Sequence, residues 1–401
     1  MKVVLCSLVP HYSHTALALQ RTGHLKRYVT GFILTDPTLK NFTNIFPWKI
    51  QQKLLGSGRY NKNLNSDLIT SLWYVELFRK ILASVPITKG YYEKLISNTL
   101  FSLASSFYLD KCDILHFVSS QGAFSLRKAK KNGAIIIVDE RGAHPTHRKK
   151  LLQEEHLRFG HSIVTEEFFE NIRNHEYELA DFIFVPSYYA SKTFVEMGID
   201  ENKLFAIPYG VDTNTFVQIP KADKVFRVLY VGRISLGKGV HYLLQAWDQL
   251  KLKNSQLVLI GMVEETFRHI FKKFSGIFEH LPSVPHKELY EFYSNSSVFV
   301  LPSLSEGFGL VTYEAMACGL PVILTKNCGA VVRDEKDGFV IPIRDVDALK
   351  EKIFLFYESE NLRKQMGNSA KTYVKNYTWE RYGERVIQAY KNILAVKERP
   401  S

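Results

Sequence analysis

The segment from Ser296 to Ala330 constrains the fold more than any other stretch of the chain. It opens with an apolar run, Val298-Phe299-Val300-Leu301, which is rich in β-branched and aromatic residues and is closed by Pro302, so it reads as a buried strand. Ser303 to Gly307 is small and polar and reads as a loop. Leu310, Ala315, Met316 and Ala317 then have the spacing of a packed helix face, and Gly319-Leu320-Pro321 stops that helix before a second strand, Val322-Ile323-Leu324. Strand, loop, helix, strand is the repeating unit of an α/β sheet.

The same alternation runs through the first half. Strands are expected at Lys2 to Cys6, Tyr28 to Ile33, Asp113 to Phe117, Ala134 to Val138, Asp181 to Val185 and Leu204 to Ile207, with helices at His14 to Arg21, Gln121 to Lys131 and Tyr189 to Met197. The pattern is that of a parallel, doubly wound sheet. Between Pro37 and Lys111 it is interrupted by an aromatic and basic insertion, including Phe42, Phe46, Trp48, Trp73, Tyr74 and Tyr92, which is expected to be helical. Such an insertion suits a core, a membrane interface or an acceptor site.

Glu306 on the loop and Glu314 eight positions later would stand roughly 10 Å apart at helical rise. Gly307 and Gly309 let backbone approach a ligand, and unpaired amides at the helix start attract an anion. Carboxylates beside an anion site are reconciled by a sugar nucleotide, whose hydroxyls want acceptors and whose diphosphate wants amides and cations. The plainer reading makes Glu306 a capping residue and Glu314 a solvated one.

The run Glu306-Gly307-Phe308-Gly309-Leu310 followed by Glu314-Ala315-Met316-Ala317-Cys318-Gly319-Leu320-Pro321 resembles the E-x7-E signature of retaining glycosyltransferases of the family 4 type, which have the GT-B fold. A second block, Gly232-Arg233 with Lys238-Gly239 at the end of a strand from Phe226 to Val231, is similar to that family's diphosphate-gripping segment. Fixed cations aimed at a departing diphosphate stabilise the charge it gains. The resemblance implies two Rossmann-like doubly wound domains facing a cleft. It implies donor contacts from Arg233, Lys238, Glu306, Gly307, Phe308, Gly309, Leu310 and Glu314, with Arg233, Lys238, Glu306 and His144 forming the catalytic set.

On the other side of the cleft, His11 in the loop after the first strand, and Arg141 and His144 in the loop after Val138, are the acceptor-side candidates, because ligands of such sheets bind at the carboxyl ends of the strands. The first of these loops lacks the paired glycines usual in the resembled family. Tyr209-Gly210-Val211-Asp212 resembles the interdomain connection. The expected organisation is therefore an acceptor-side domain over 1–212, a donor domain over 213–377, and a helix over 378–401 crossing back to the first domain. Asp345-Val346-Asp347 has the form of a metal-binding D-x-D but sits where an acidic residue caps a helix, and no metal or cofactor is expected.

The 401 residues carry a formal net charge of +12, which favours anionic partners without choosing among nucleic acid, lipid and substrate. Arg127 to Lys131 and His147 to Lys150 flank apolar segments, as a substrate- or membrane-facing side would, and no nucleic-acid reader motif is present. Cys6, Cys112, Cys318 and Cys328 show no framework or metal spacing, and no signal-peptide core or membrane-crossing run is evident, so a cytoplasmic protein, peripheral at a membrane at most, is expected. The resulting expectation is a retaining, metal-independent glycosyltransferase acting from a nucleoside-diphosphate sugar onto a hydroxyl of a glycan, lipid-linked or small-molecule acceptor. The alternatives are a catalytically silent sugar-nucleotide binder and a basic nucleic-acid-binding protein.

Overall fold

A computed structural model describes residues 1–35, 60–85, 90–109, 111–161 and 167–397. The first sheet contains β1 (Val3–Ser7), β2 (Leu25–Thr30), β3 (Ile69–Ser71), β4 (Ile114–Val118), β5 (Ile135–Asp139), β6 (Phe182–Val185) and β7 (Leu204–Ala206). Its order is β3-β2-β1-β4-β5-β6-β7, parallel throughout. Its helices are α1 (Tyr12–Arg21), α2 (Trp73–Ser84), α3 (Tyr91–Ser106), α4 (Ala123–Lys131), α5 (Pro145–Arg158), α6 (Glu167–Leu179) and α7 (Tyr188–Glu196).

The second sheet holds β8 (Phe226–Val231), β9 (Ser255–Ile260), β10 (Glu279–Leu281), β11 (Val298–Leu301), β12 (Val322–Thr325) and β13 (Gly338–Ile341), in the parallel order β10-β9-β8-β11-β12-β13. Its helices are α8 (Val240–Leu250), α9 (Arg268–Lys273), α10 (Leu289–Ser294), α11 (Leu310–Ala317), α12 (Val346–Glu358) and α13 (Glu360–Val374); α14 (Trp379–Lys397) follows. This is the expected α/β architecture of two Rossmann-like units.

The strands are apolar on both faces because helices cover both. Along β1, Val3 and Leu5 join a core shared with the second sheet, while Val4 and Cys6 point into a separate core under α2, α3 and α4, as the two-residue period of a strand requires. The chain passes between the sheets twice, side by side. Val211 N–H donates to the Tyr377 carbonyl at 2.9 Å, the Arg385 guanidinium donates to the Pro208 carbonyl at 3.0 Å, and Gly210 lies so close to the Trp379 amide that no Cβ fits. Helix α14 then returns to the first sheet, pairing Tyr382 with Thr15 at 2.8 Å and Tyr390 with His116 at 2.5 Å.

Local expectations shift in a few places. The second strand begins at Leu25, three residues before the expected start, because Leu25 already pairs with Val3 of β1; Lys26 reaches the Lys111 carbonyl at 2.6 Å and Arg27 reaches Thr70 of the short outer strand β3 at 3.0 Å. In the insertion, α2 and α3 are helical as expected, whereas β3 is a strand that its three-residue length concealed. Phe42, Phe46 and Trp48 lie outside the described residues. Ahead of α10, His286–Glu288 form a 3-10 turn. Asp345 caps α12 by accepting the Ala348 amide at 2.8 Å, and Asp347 pairs with Lys350 at 3.0 Å. Among the described residues no cluster of three metal-ligating side chains occurs, and no helix is long and apolar enough to cross a membrane.

Candidate active site

In the second sheet the strand order reverses between β8 and β11, and the crevice beyond the carboxyl ends of such a pair is where open parallel sheets hold ligands. The loops leaving these two strands are Gly232–Gly239 and Pro302–Gly309, the two blocks singled out in the sequence. They touch. Gly239 has φ +66° and packs on the Pro302 carbonyl with no room for a Cβ, and the Leu304 amide donates to the Gly237 carbonyl at 3.1 Å. Across this contact the Lys238 ammonium donates to the Glu306 carboxylate, both side chains remaining partly exposed. Arg233 stands further out, 69% exposed, and pairs with Glu264 at 3.1 Å.

Gly309, in the left-handed conformation at φ +67°, starts α11. The amides of Gly307, Phe308 and Gly309 donate no hydrogen bond among the described residues, so the loop presents donors beside the Lys238–Glu306 pair. Phe308 is turned inward, stacked on Tyr313 at 4.3 Å and edge-on to Tyr209 at 5.1 Å, which anchors the loop between the two sheets. Glu314 is buried, so it is not a solvated helix residue. Its two oxygens accept from Tyr293 at 2.9 Å and His286 at 2.8 Å. His286 is the exposed partner, and that hydrogen bond raises its pKa above the ordinary imidazole value.

The first sheet reverses between β1 and β4, and its facing loops carry the remaining candidates. His11 is wedged against Tyr12 and Tyr209, each 4.9 Å away between ring centroids. Burial, followed by the nearby Arg141 charge, pulls its pKa down to about 3, so the ring is neutral. Its Nε2 is buried and has no partner among the described residues. His144 is placed differently. Its backbone N–H donates to Thr193 at 2.8 Å, its Nδ1 accepts the Thr146 amide at 3.3 Å as the cap of α5, and its ring packs on Phe194. Burial lowers its pKa to about 4.

Arg141 is exposed, and its backbone carbonyl and Gly142 lie directly against Gly307, where a Cβ could not be accommodated. Ser187 donates to the Gly307 carbonyl at 2.7 Å and Tyr189 to Ser305 at 3.0 Å. The structure thus brings Lys238, Glu306, Gly307 and the Arg141 loop to one seam. Glu314 with His286, and His11 with Tyr209, flank it through separate contacts.

Sequence reasoning missed the strut that holds this seam. Helix α5 rises from the His144 cap and crosses to the second sheet, where Leu152 packs on Gly237 and Glu155, fully buried, accepts from His241 at 2.8 Å, Tyr242 at 2.6 Å and Arg344 at 2.7 Å. Burial alone would raise the Glu155 pKa; the hydrogen bonds from His241, Tyr242 and Arg344 outweigh it and hold the carboxyl at about 2. Nothing in the charged run His147 to Arg158 distinguishes Glu155 from its solvated neighbour Glu154, since the partners arrive from residues 86 to 189 positions away. The only hint is periodicity, which puts Leu151, Leu152 and Glu155 on one face.

Residues 211–373 match the family model of group 1 glycosyl transferases. The match spans the whole second sheet and the loops that leave β8 and β11. The chain is 31% identical across 204 residues to MJ1178 of Methanocaldococcus jannaschii, described as an uncharacterized glycosyltransferase, a match that covers 50% of this chain and 58% of that protein. It is 33% identical across 191 residues to the capsular polysaccharide biosynthesis glycosyltransferase CapM of Staphylococcus aureus, covering 46% and 47%. The chain spans about half the length of the curated relatives it matches. The fold extends over the whole molecule. Sucrose-phosphate synthase from Thermosynechococcus elongatus superimposes with a TM-score of 0.67 over 99% of this chain and 100% of that one at 18% identity, and Anabaena HepE, solved with UDP, with 0.63 over 98% and 100% at 15%. The fold is GT-B.

Proposed function

We propose that the protein is a retaining glycosyltransferase that moves a sugar from a nucleoside diphosphate to a hydroxyl of a glycan, lipid-linked or small-molecule acceptor. The observation that carries this reading is the Lys238–Glu306 pair at the strand-order reversal, with unbonded amides of Gly307 to Gly309 beside it. A diphosphate needs the cation and the amides, and a sugar hydroxyl needs the carboxylate. Glu314 would hold the ribose, Arg233 and Lys238 the diphosphate, and Glu306 the sugar. HepE, of the same fold, has been solved with UDP-glucose, and the relatives include CapM and the D-inositol 3-phosphate glycosyltransferase of Paenarthrobacter aurescens, which supports a nucleotide donor and a polyol or glycan acceptor.

In this mechanism the bond from the anomeric carbon to the diphosphate oxygen breaks while the acceptor oxygen attacks from the same face. The acceptor proton passes to the departing phosphate oxygen, so neither a protein nucleophile nor a divalent ion is required. His144, expected in the catalytic set and on the acceptor side, caps α5 with its ring against Phe194, so we assign it instead to positioning the Arg141–Gly142 turn; His11 and Arg141 line the acceptor side. A thermal-shift panel of nucleoside diphosphates and their sugars tests donor binding, because a ligand of the native state raises apparent stability. Turnover with the binding donor, followed by NMR of the product in chelator, tests the rest. An inverted anomer or a strict metal requirement refutes the mechanism, and binding without turnover on any acceptor favours the silent homologue.

A further inference from the structure

Helix α2 is built the wrong way round for a helix facing water. Trp73, Leu77, Phe78 and Ile81, spaced along one stripe, are 57%, 52%, 41% and 52% exposed, while its acidic residue, Glu76, is 6% exposed. Glu76 accepts from Arg79 at 3.0 Å, and Arg79 also donates to Glu93 of α3 at 3.1 Å, so the acidic charges of this helix pair are neutralised within it. Helix α3 repeats the inversion. It buries Ser97, Ser102 and Ser105, the last paired with Ser125 of α4 at 2.8 Å, and exposes Leu103; Phe107, just beyond its end, is 75% exposed. A helix that hides hydroxyls and presents leucine obeys the pattern of a surface whose other side is apolar.

The three helices lie side by side over one core to which Val75, Phe101 and Leu126 all contribute, so their outer faces share one side of the molecule. The exposed charge of these three helices has one sign. Lys80, Lys94, Arg127, Lys128, Lys130 and Lys131 are exposed, whereas Glu76 and Glu93 are the only acidic residues of α2, α3 and α4, with side chains 7% and 13% exposed and both bonded to Arg79. A second copy of this chain docked on the same face would bring like charges together. Apolar residues interleaved with unopposed cations instead match the interface of a bilayer bearing anionic lipid, where the rings and leucines enter the acyl boundary and the lysines meet the headgroups.

We propose that the outer face of α2, α3 and α4 docks the protein on an anionic membrane surface. The inference is independent of the donor chemistry. Trp73 and Phe124 start α2 and α4 at the carboxyl edge of the first sheet, so a docked molecule would hold its cleft near the headgroups, within reach of an acceptor carried by lipid.

The test is co-sedimentation of the full chain with phosphatidylcholine vesicles, with and without phosphatidylglycerol, at low and high salt, with light scattering alongside. Two variants, Leu77→Ser/Ile81→Ser and Arg127→Glu/Lys131→Glu, change exposed side chains and are checked for an unaltered melting temperature. The expected result is binding to the anionic vesicles that falls with salt and drops at least about tenfold in either variant. Failure of the folded wild type to bind either vesicle, binding unchanged by the charge reversal, or a dimer that dissociates in the Leu77→Ser/Ile81→Ser variant would each overturn the proposal.

Discussion

Replacing Glu155 by alanine should cost about 3 kcal/mol at neutral pH, and the loss should open the cleft. A carboxyl whose pKa falls from its ordinary 4.5 to about 2 on folding contributes about 3 kcal/mol once both states are ionised. Truncating one partner of a buried ion pair costs about 3–5 kcal/mol, and the lower end applies here because Arg344 keeps Glu154 and the Leu151 carbonyl, both at 3.4 Å. The pH dependence follows from the sign of the shift. As pH falls through the ordinary value the unfolded chain takes up the proton first, so the stabilisation is whole above about pH 5.5 and disappears toward about pH 2.

His241 pulls the same way, since burial lowers its pKa and acid favours the unfolded, protonated imidazole. Urea unfolding of wild type, Glu155→Ala and Glu155→Gln from pH 7 to 3 measures the effect, and small-angle scattering reads the separation of the two sheets. The wild type should converge on Glu155→Ala in acid, with both variants more expanded at pH 7. A difference below about 1 kcal/mol at pH 7, or parallel curves down to pH 3, would refute the strut.

Other expectations can be checked with the same protein. Gly307→Ala places a methyl on the Arg141 carbonyl, a backbone atom that cannot swing aside, and should destabilise by about 1–3 kcal/mol in urea unfolding. Gly210→Ala, which meets the Trp379 amide, should act similarly at the hinge. Because Glu314 raises the pKa of His286, their attraction is complete below the ordinary imidazole value near 6.5 and is lost as pH rises through the shifted one; melting temperature should therefore fall over that window in wild type and stay level in His286→Gln.

The alternation of strands and helices was legible because parallel strands are apolar on both faces and stand out as short runs such as Ile135 to Val138. What escaped was set by distant partners. β3 is three residues long and exists because β2 offers an edge; Arg27, which disguises β2 as a polar stretch, is bonded on that edge. Glu306 and Lys238 could be read as a pair of blocks because each block has a dense local pattern. The burial of Glu314 under Tyr293, the capping by His144 and the clamp on Glu155 depend on side chains brought in by the fold, which no local spacing encodes. The same holds for α2: its composition reads as amphipathic in either orientation, and only the position of the core shows that the apolar stripe is the outer one.

The Lys238–Glu306 pair makes a final prediction about the order of contacts. Each group satisfies the other, so on the proposed reading a diphosphate would have to draw Lys238 away, and that exchange would free Glu306 to accept from the sugar. If the exchange operates, Glu306→Gln should not weaken the nucleoside diphosphate picked out by the thermal-shift panel and should tighten it, because the change both frees Lys238 and removes a carboxylate's repulsion of phosphate; the matching sugar nucleotide should weaken, because its hydroxyl loses a charged acceptor. Lys238→Ala should weaken both ligands alike and cut turnover by about 10²-fold or more. Calorimetry of both ligands on the two variants separates the roles. An equal loss for the diphosphate and its sugar nucleotide in Glu306→Gln would mean that Glu306 serves only to position Lys238, and the sugar would then need a different anchor in the seam formed by Gly307 and the Arg141 loop.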